Sequence, residues 1–368
     1  MKNIRHFTRF LFLLSVVFLP LTSFSQTSVK GYEIRFKPLN VSEKYLYLTG
    51  IYGNTLWVVD SAKNAKNQYI FKNTKQLLPA GLYTIQSQDG TILVEFIIAQ
   101  TQKFTIEENK NGFVFINSEE NVIFQLFKTD LKDFFVESLF PRTAENVIQS
   151  IENLFNRMLD KNPTLAQLDV RDFYLKKLIH RYMNLDPKFD AVFVYIVDNY
   201  VSTLTESKFI SDAEIAVFKR IADRKRRSLV GETVPVFESY TKDHHLISTA
   251  EMPSKYTVLW FWDPDCEHCI EYTPKFYDFY LKYHDIYSFE VIACSVTEDY
   301  DRWIAFINDQ HLDWFNTSYA IGAPNYDAVE FFNFDDTPAI FIIDKQHKIV
   351  ARQFPLDELF EVFESLQR

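Results

Sequence analysis

Apolar and polar positions alternate with a period near two from about Val29 to Glu119. Short runs at residues 32–36, 45–48, 56–59, 68–71, 82–85, 92–98, 104–106 and 113–116 are separated by turn chemistry at Tyr52-Gly53-Asn54, Pro79-Ala80-Gly81, Asp89-Gly90 and Asn111-Gly112. Half-buried strands punctuated in this way predict an antiparallel β-sandwich over residues 26–119. From about Asn121 the period lengthens to nearly four. Val122, Phe124, Leu126, Phe127, Phe134, Phe135, Val147, Ile151, Leu154, Phe155, Met158 and Leu159 mark the first helices; Phe173, Leu175, Leu178, Ile179, Tyr182, Val192, Phe193, Tyr195 and Ile196 mark later ones. Breaks fall at Asn162-Pro163-Thr164, Asp186-Pro187 and Ser211-Asp212, each offering a turn or an N-cap, so residues 120–229 read as an α-helical middle domain.

The last region, residues 230–368, mixes both periods and predicts an α/β domain. Residues 258–262 form an almost continuous apolar run, too short for an independent helix and suited to a central strand covered on both faces. Asp263-Pro264-Asp265 breaks it, and Ile270, Pro274, Phe276, Tyr277, Tyr280, Leu281 and His284 then recur at helical spacing. A second central strand follows at 289–296, a helix at 300–308 with Trp303, Ile304 and Ile307 inward, and a shorter helix at 326–332. Asp335-Asp336-Thr337-Pro338 leads into a further apolar strand, then a turn at 345–348, a return strand at 349–352 and an amphipathic helix with Pro355 in its first turn.

The N-terminus changes the compartment. Lys2, Arg5 and Arg9 precede an apolar run at 11–21, and Ser23 and Ser25 are small residues ahead of a cut before Gln26, so residues 1–25 read as an export signal peptide. The run is shorter than the about 20 residues a membrane span needs, and no cysteine near the cut could take a lipid. Removing those three cations moves the formal net charge from −10 to −13. So acidic a product is a poor nucleic-acid binder, and no stable membrane insertion is expected. The stretch from Lys219 to Arg227 is strongly basic; it reads either as a contact for acidic lipid or for the acidic remainder of the chain, or as a solvated helix end whose cations offset the dipole.

Cys266 and Cys269 are two of three cysteines, and they stand where the central strand hands over to a helix. Cys266 would lie at the helix N-terminus and Cys269 one turn inside, so free N–H groups and the helix dipole would favour a Cys266 thiolate, the form that attacks disulfides. Haem attachment would need His after the second cysteine, where Ile270 stands, and a structural zinc site would need more ligands than the lone Cys294 supplies. No metal is expected. A structural disulfide is the bland alternative, but a two-residue loop gains little from cross-linking. Cys294, inside an apolar strand, reads as a small hydrophobe unless its thiol reaches the surface. Between the cysteines, His268 would favour the thiolate and Glu267 would oppose it.

Strand, C-x-x-C, helix, distant Thr337-Pro338 strand, hairpin and terminal helix together resemble the thioredoxin fold, in the form of the TlpA/ResA-type thiol-disulfide oxidoreductases of bacterial envelopes. Gly231-Glu232-Thr233-Val234-Pro235-Val236-Phe237 resembles the opening segment of such domains, and the β-rich region resembles a module often found ahead of them. The resemblance implies a periplasmic protein in which Cys266 attacks and Cys269 resolves a mixed disulfide, running as a reductase, with no cofactor beyond the redox-active Cys266–Cys269 pair. It further implies a cis bond before Pro338 facing the dithiol, with the Thr337 backbone presented to an extended client. Partners would be client proteins carrying disulfides or thiols, and an envelope electron donor or acceptor. The chain departs from the family at the proton-handling acid: Trp260 stands where thioredoxins place Asp, and Tyr272 where TlpA/ResA-type domains commonly place Glu. Glu271 is one residue short of that position, turned by about 100° on the helix, and is a weak substitute. Two other classes compete. Thioredoxin-fold peroxidases keep Thr three residues before the reactive cysteine, where this chain has Asp263, and a non-enzymatic binding or assembly module would carry the dithiol as a vestige.

Overall fold

The computed structural model describes residues 30–52, 55–133 and 143–368. The expected signal segment, and Phe134 and Phe135 among the helix markers, lie outside those residues. The described residues begin with eight strands: β1 (Tyr32–Lys37), β2 (Tyr45–Tyr52), β3 (Thr55–Lys63), β4 (Tyr69–Asn73), β5 (Gly81–Gln86), β6 (Ile92–Ile98), β7 (Lys103–Asn109) and β8 (Gly112–Ile116). They form two four-stranded sheets, ordered β4-β1-β7-β8 and β3-β2-β5-β6. Tyr32, Ile34 and Phe36 of β1 alternate inward and meet Leu46, Leu48, Ile85 and Phe96 in one apolar core. The sandwich departs from a wholly antiparallel one at a single pair, β1 with β7, which runs parallel because β7 returns to β1 after the second sheet is complete. At Gly31, with φ +81°, a Cβ would lie 1.9 Å from the Asn73 carbonyl oxygen, so the chain can enter β1 here only as glycine.

Five helices follow among the described residues: α1 (Glu119–Asp133), α2 (Ala144–Met158), α3 (Leu165–Met183), α4 (Asp190–Ile196), which runs on as a π-helical turn at Val197–Val201, and α5 (Asp212–Arg226). The breaks read from sequence are caps. Thr164 with Gln167 and Ser211 with Glu214 form capping boxes at the starts of α3 and α5, and the Asp186 side chain accepts from the Lys188 N–H. Ile97 and Ala99 join the core of this helical region, so the sandwich and the helices share buried surface.

The C-terminal α/β domain contains β9 (Glu238–Tyr240), β10 (Leu246–Ser248), β11 (Tyr256–Trp262), α6 (Glu267–Tyr287), β12 (Phe289–Ser295), α7 (Tyr300–Asp309), β13 (Phe315–Ser318), α8 (Ala328–Phe332), β14 (Ala339–Asp344), β15 (Ile349–Arg352) and α9 (Leu359–Leu366). Its five-stranded sheet has the order β13-β12-β11-β14-β15, with β11 central. Every residue of β11 is buried. Val258, Trp260 and Trp262 pack toward Phe276, Trp303 and Phe363 of α6, α7 and α9, while Leu259 and Phe261 pack on the other face against Phe237, Phe332 and Phe341. The β9/β10 hairpin and β13 are short polar-containing strands without an alternating signature, and sequence patterning does not mark them.

The basic end of α5 is not a solvated tip throughout. Lys225 is buried and bonded to Asp190 of α4, whose second carboxylate oxygen accepts from Arg352 Nη2 of β15 at 2.9 Å. Arg226 pairs with Asp198 and Asp223, and Arg227 lies over the Phe331 ring of α8 at 5.8 Å. Lys219, Arg220 and Arg224 remain exposed. The contact with acidic groups of the same chain is thus made by one edge of the basic stretch, and it seams the helical region to the α/β domain.

Candidate active site

β11 ends where Asp263 folds the chain back on itself. Its carboxylate accepts from the Asp265 N–H at 2.8 Å and its carbonyl from the Cys266 N–H at 3.2 Å, which sets Cys266 as the N-cap of α6. In that position the Cys266 sulfur accepts from the Cys269 N–H at 3.4 Å. Cys269, one turn in, is fully buried against Trp260 and Trp262, and its sulfur accepts from the Asp263 N–H at 3.5 Å. Both are free thiols in this structure.

The second half of the site arrives through the sheet. β14 pairs antiparallel with β11, Ala339 opposite Phe261, so the residues just before β14 fall beside the residues just after β11. The Thr337–Pro338 peptide is cis, and the Cys266 thiol donates to the Thr337 carbonyl at 3.1 Å. Cys266, Cys269, Thr337 and Pro338 are therefore brought to one place.

The two thiols have opposed acidities. For Cys266, partial burial works against ionisation, but hydrogen bonds from the Cys269 thiol, from the Thr337 side chain and from the backbone N–H groups of Cys269 and His268 outweigh it, and the pKa falls below the ordinary value. For Cys269, burial dominates and pushes the pKa up to about 12, with smaller contributions from Thr337 and Asp263 opposing it. The helix end lowers the thiol that faces out and leaves the inner one protonated.

Two of the side chains expected to tune this pair are engaged with other groups. Glu271 is exposed and takes the Lys275 ammonium at 2.6 Å, one turn along the same helix face. His268 stacks on Tyr272 with centroids 5.9 Å apart, and its contribution to Cys266 comes through its backbone N–H; the Glu267 side chain is exposed and is not among the groups that shift Cys266. Beneath the dithiol, where a carboxylate would serve as proton carrier, Trp260 donates through Nε1 to the Thr273 hydroxyl at 3.1 Å, both residues buried. Cys294 is buried on the opposite face of the sheet from Cys269, among Phe332 and Phe341, and burial pushes its pKa up to about 12. No group of three or more potential metal ligands exists among the described residues.

A cavity of about 600 Å³ opens beside Cys266, lined by His268, Val296, Val329, Phe334, Asp335, Asp336 and Thr337. Sequence reasoning gave no role to Val296, Val329, Phe334, Asp335 or Asp336. Adjacency to the Thr-Pro step could have drawn in the last three, whereas Val329 on α8 has no local signal.

Solved structures similar to the C-terminal part of the chain include a domain of a possible thiol-disulfide isomerase from Cytophaga hutchinsonii, 25% identical over 38% of this chain and 93% of that one with TM-score 0.35. The thioredoxin domain of a thiol-disulfide oxidoreductase from Bacteroides vulgatus is 21% identical over 38% of this chain and 99% of that one, TM-score 0.34. A thioredoxin-like protein from Bacteroides caccae is 14% identical but covers 60% of this chain and 77% of its own, TM-score 0.45. No curated protein matches the sequence. Residues 254–349, from ahead of β11 to the start of β15, match the thioredoxin-like family.

Proposed function

We propose that the chain is a thiol-disulfide oxidoreductase of the TlpA/ResA kind, exported to the periplasm and acting on client proteins. The observation that carries the reading is the split dithiol: a half-exposed, acidified Cys266 capping α6 and a buried Cys269 held protonated one turn behind it. In the reductive direction the Cys266 thiolate attacks one sulfur of a client disulfide. The client S–S bond breaks, a Cys266–client bond forms, and the other client sulfur leaves as a thiolate. With Trp260 bonded to Thr273 beneath the dithiol, the expelled thiolate takes the Cys269 proton. Cys269 then attacks the Cys266 sulfur, the client leaves with both sulfurs reduced, and two electrons have passed from the dithiol to the client as Cys266–Cys269 closes. An envelope donor of two electrons restores the dithiol. Export rests on residues 1–25, and no described helix is long and apolar enough to cross a membrane.

Cys269→Ser tests the reading, because removal of the resolving thiol leaves the mixed disulfide waiting for an outside thiol. Non-reducing gels of that variant, expressed with its leader in a bacterial envelope, should show reducible high-mass adducts that Cys266→Ser/Cys269→Ser lacks. Absence of adducts, together with no disulfide reductase or thiol oxidase activity in the wild type, would favour a binding module with a vestigial dithiol.

A further inference from the structure

The cavity beside Cys266 joins two chemistries. Val296, Val329 and Phe334 give it an apolar lining, and Asp335 and Asp336 place two carboxylates directly before Thr337, whose carbonyl already touches the reactive sulfur. Both aspartates are exposed and make no ion pair among the described residues. Arg302 of α7 pairs with Asp265 and Asp299, while Arg227 lies over the Phe331 ring and forms no ion pair with either aspartate. His268 lines the same cavity, and Glu267 beside it adds a further exposed carboxylate. A client segment laid past Thr337 therefore meets uncompensated negative charge within a residue or two of its own cysteine.

Resting on the oxidoreductase reading, we infer that Asp335 and Asp336 select the client: the preferred segment carries lysine or arginine next to the reactive cysteine, with an apolar neighbour for the Val296, Val329 and Phe334 lining. The size of the preference follows from Coulomb's law. One unit pair at roughly 6 Å in water changes an association constant about threefold, and screening at physiological salt brings that to about 1.7-fold. Exchanging Lys for Glu opposite two carboxylates counts four such factors, so the rate ratio should be about tenfold. Near 1 M salt, where the screening length is about 3 Å, it should shrink to about twofold.

The test uses the reduced full chain and two disulfide-linked peptides that differ only in Lys or Glu at the residue following the cysteine, with single-turnover oxidation of the dithiol as the readout. The Lys peptide should react about tenfold faster at physiological salt, the advantage should collapse near 1 M salt, and D335N/D336N should bring the ratio close to one. Protection of Cys269 from iodoacetamide reports whether that variant is folded, and the salt series on the wild type stands without it. Equal rates for the two peptides in the wild type overturn the selection while leaving the oxidoreductase reading intact. Failure of both peptides to oxidise the dithiol overturns both.

Discussion

Alkylation of the reduced protein should separate the two thiols by a margin the structure sets. Cys269 is held at a pKa of about 12, so roughly one molecule in 100,000 carries its thiolate at neutral pH. Cys266 lies below its ordinary value of 9.0, so at least about one in 100 is ionised there. The ionised fractions alone differ by about a thousandfold. A more basic thiolate is the better nucleophile, and with a Brønsted slope of about 0.4–0.5 three units of pKa return roughly twentyfold to Cys269. About fiftyfold remains, and the 0% exposure of Cys269 widens it because the reagent must reach the sulfur. The assay is iodoacetamide labelling followed by peptide mass mapping across a pH series. Cys266 should label first, with a rate that rises with pH and levels off above a midpoint below 9. A Cys266 midpoint at or above 9, or Cys269 labelling as fast as Cys266 near pH 7, would refute the assigned roles.

Further outcomes follow from the same groups. Cys269 and Cys294 keep protons in the folded state up to about pH 12 that the unfolded chain releases near about pH 8.5, so the reduced protein should lose stability as pH rises from about 8.5 toward 12 and show none of this loss below. Urea unfolding at about pH 8 and pH 10 checks it, and Cys269→Ala should shrink the difference while leaving the share that comes from Cys294. Asp190→Ala leaves Lys225 and Arg352 buried without their shared carboxylate and should cost about 3–5 kcal/mol in denaturant unfolding; a cost below about 1 kcal/mol would mean the seam opens to water. Glu271→Ala should leave the Cys266 labelling rate within about twofold, since that carboxylate is bound to Lys275 on the outer face of α6; a larger change would restore it as a tuning group.

The strongest sequence signals were those in which one residue's chemistry fixes local geometry. The unbroken apolar run at β11, the Asp263-Pro264-Asp265 break and the spacing of Cys266 and Cys269 together placed a dithiol at a helix start, and Thr164 and Ser211 declared the helices they cap. What stayed hidden depends on residues far apart in the chain. The parallel pairing of β1 with β7 is set by closure of the sandwich, not by either strand's pattern. Lys225 looked like one more cation in a basic tail because its partner Asp190 lies 35 residues away along the chain, and Arg352, which shares that carboxylate, lies 162 residues from Asp190. Glu267, His268 and Glu271 were near the cysteines in sequence, but on a helix that nearness sends side chains to different faces, and the groups that act on Cys266 are the Cys269 thiol, Thr337 and backbone N–H groups.

The seam between the helical region and the α/β domain bears on the site from both sides. Arg352 lies on β15 opposite Phe341 of β14, the strand whose leading end carries Thr337 and Pro338, and Asp190 of the helical region holds that arginine. Arg227, just past α5, covers Phe331 on α8, and Val329, half a turn away on the same short helix, lines the cavity beside Cys266. A buried ion triad adds little net stability compared with apolar packing, because desolvation offsets most of its Coulomb attraction. Its hydrogen bonds do demand one relative placement of α4, α5 and β15. Disulfide exchange itself needs little beyond β11, the first turn of α6 and the Thr337 step. The helical region therefore bears on the walls a client meets, and a change at Asp190 should reach selectivity among clients before it reaches the acidity of Cys266, which is set entirely by groups of the α/β domain.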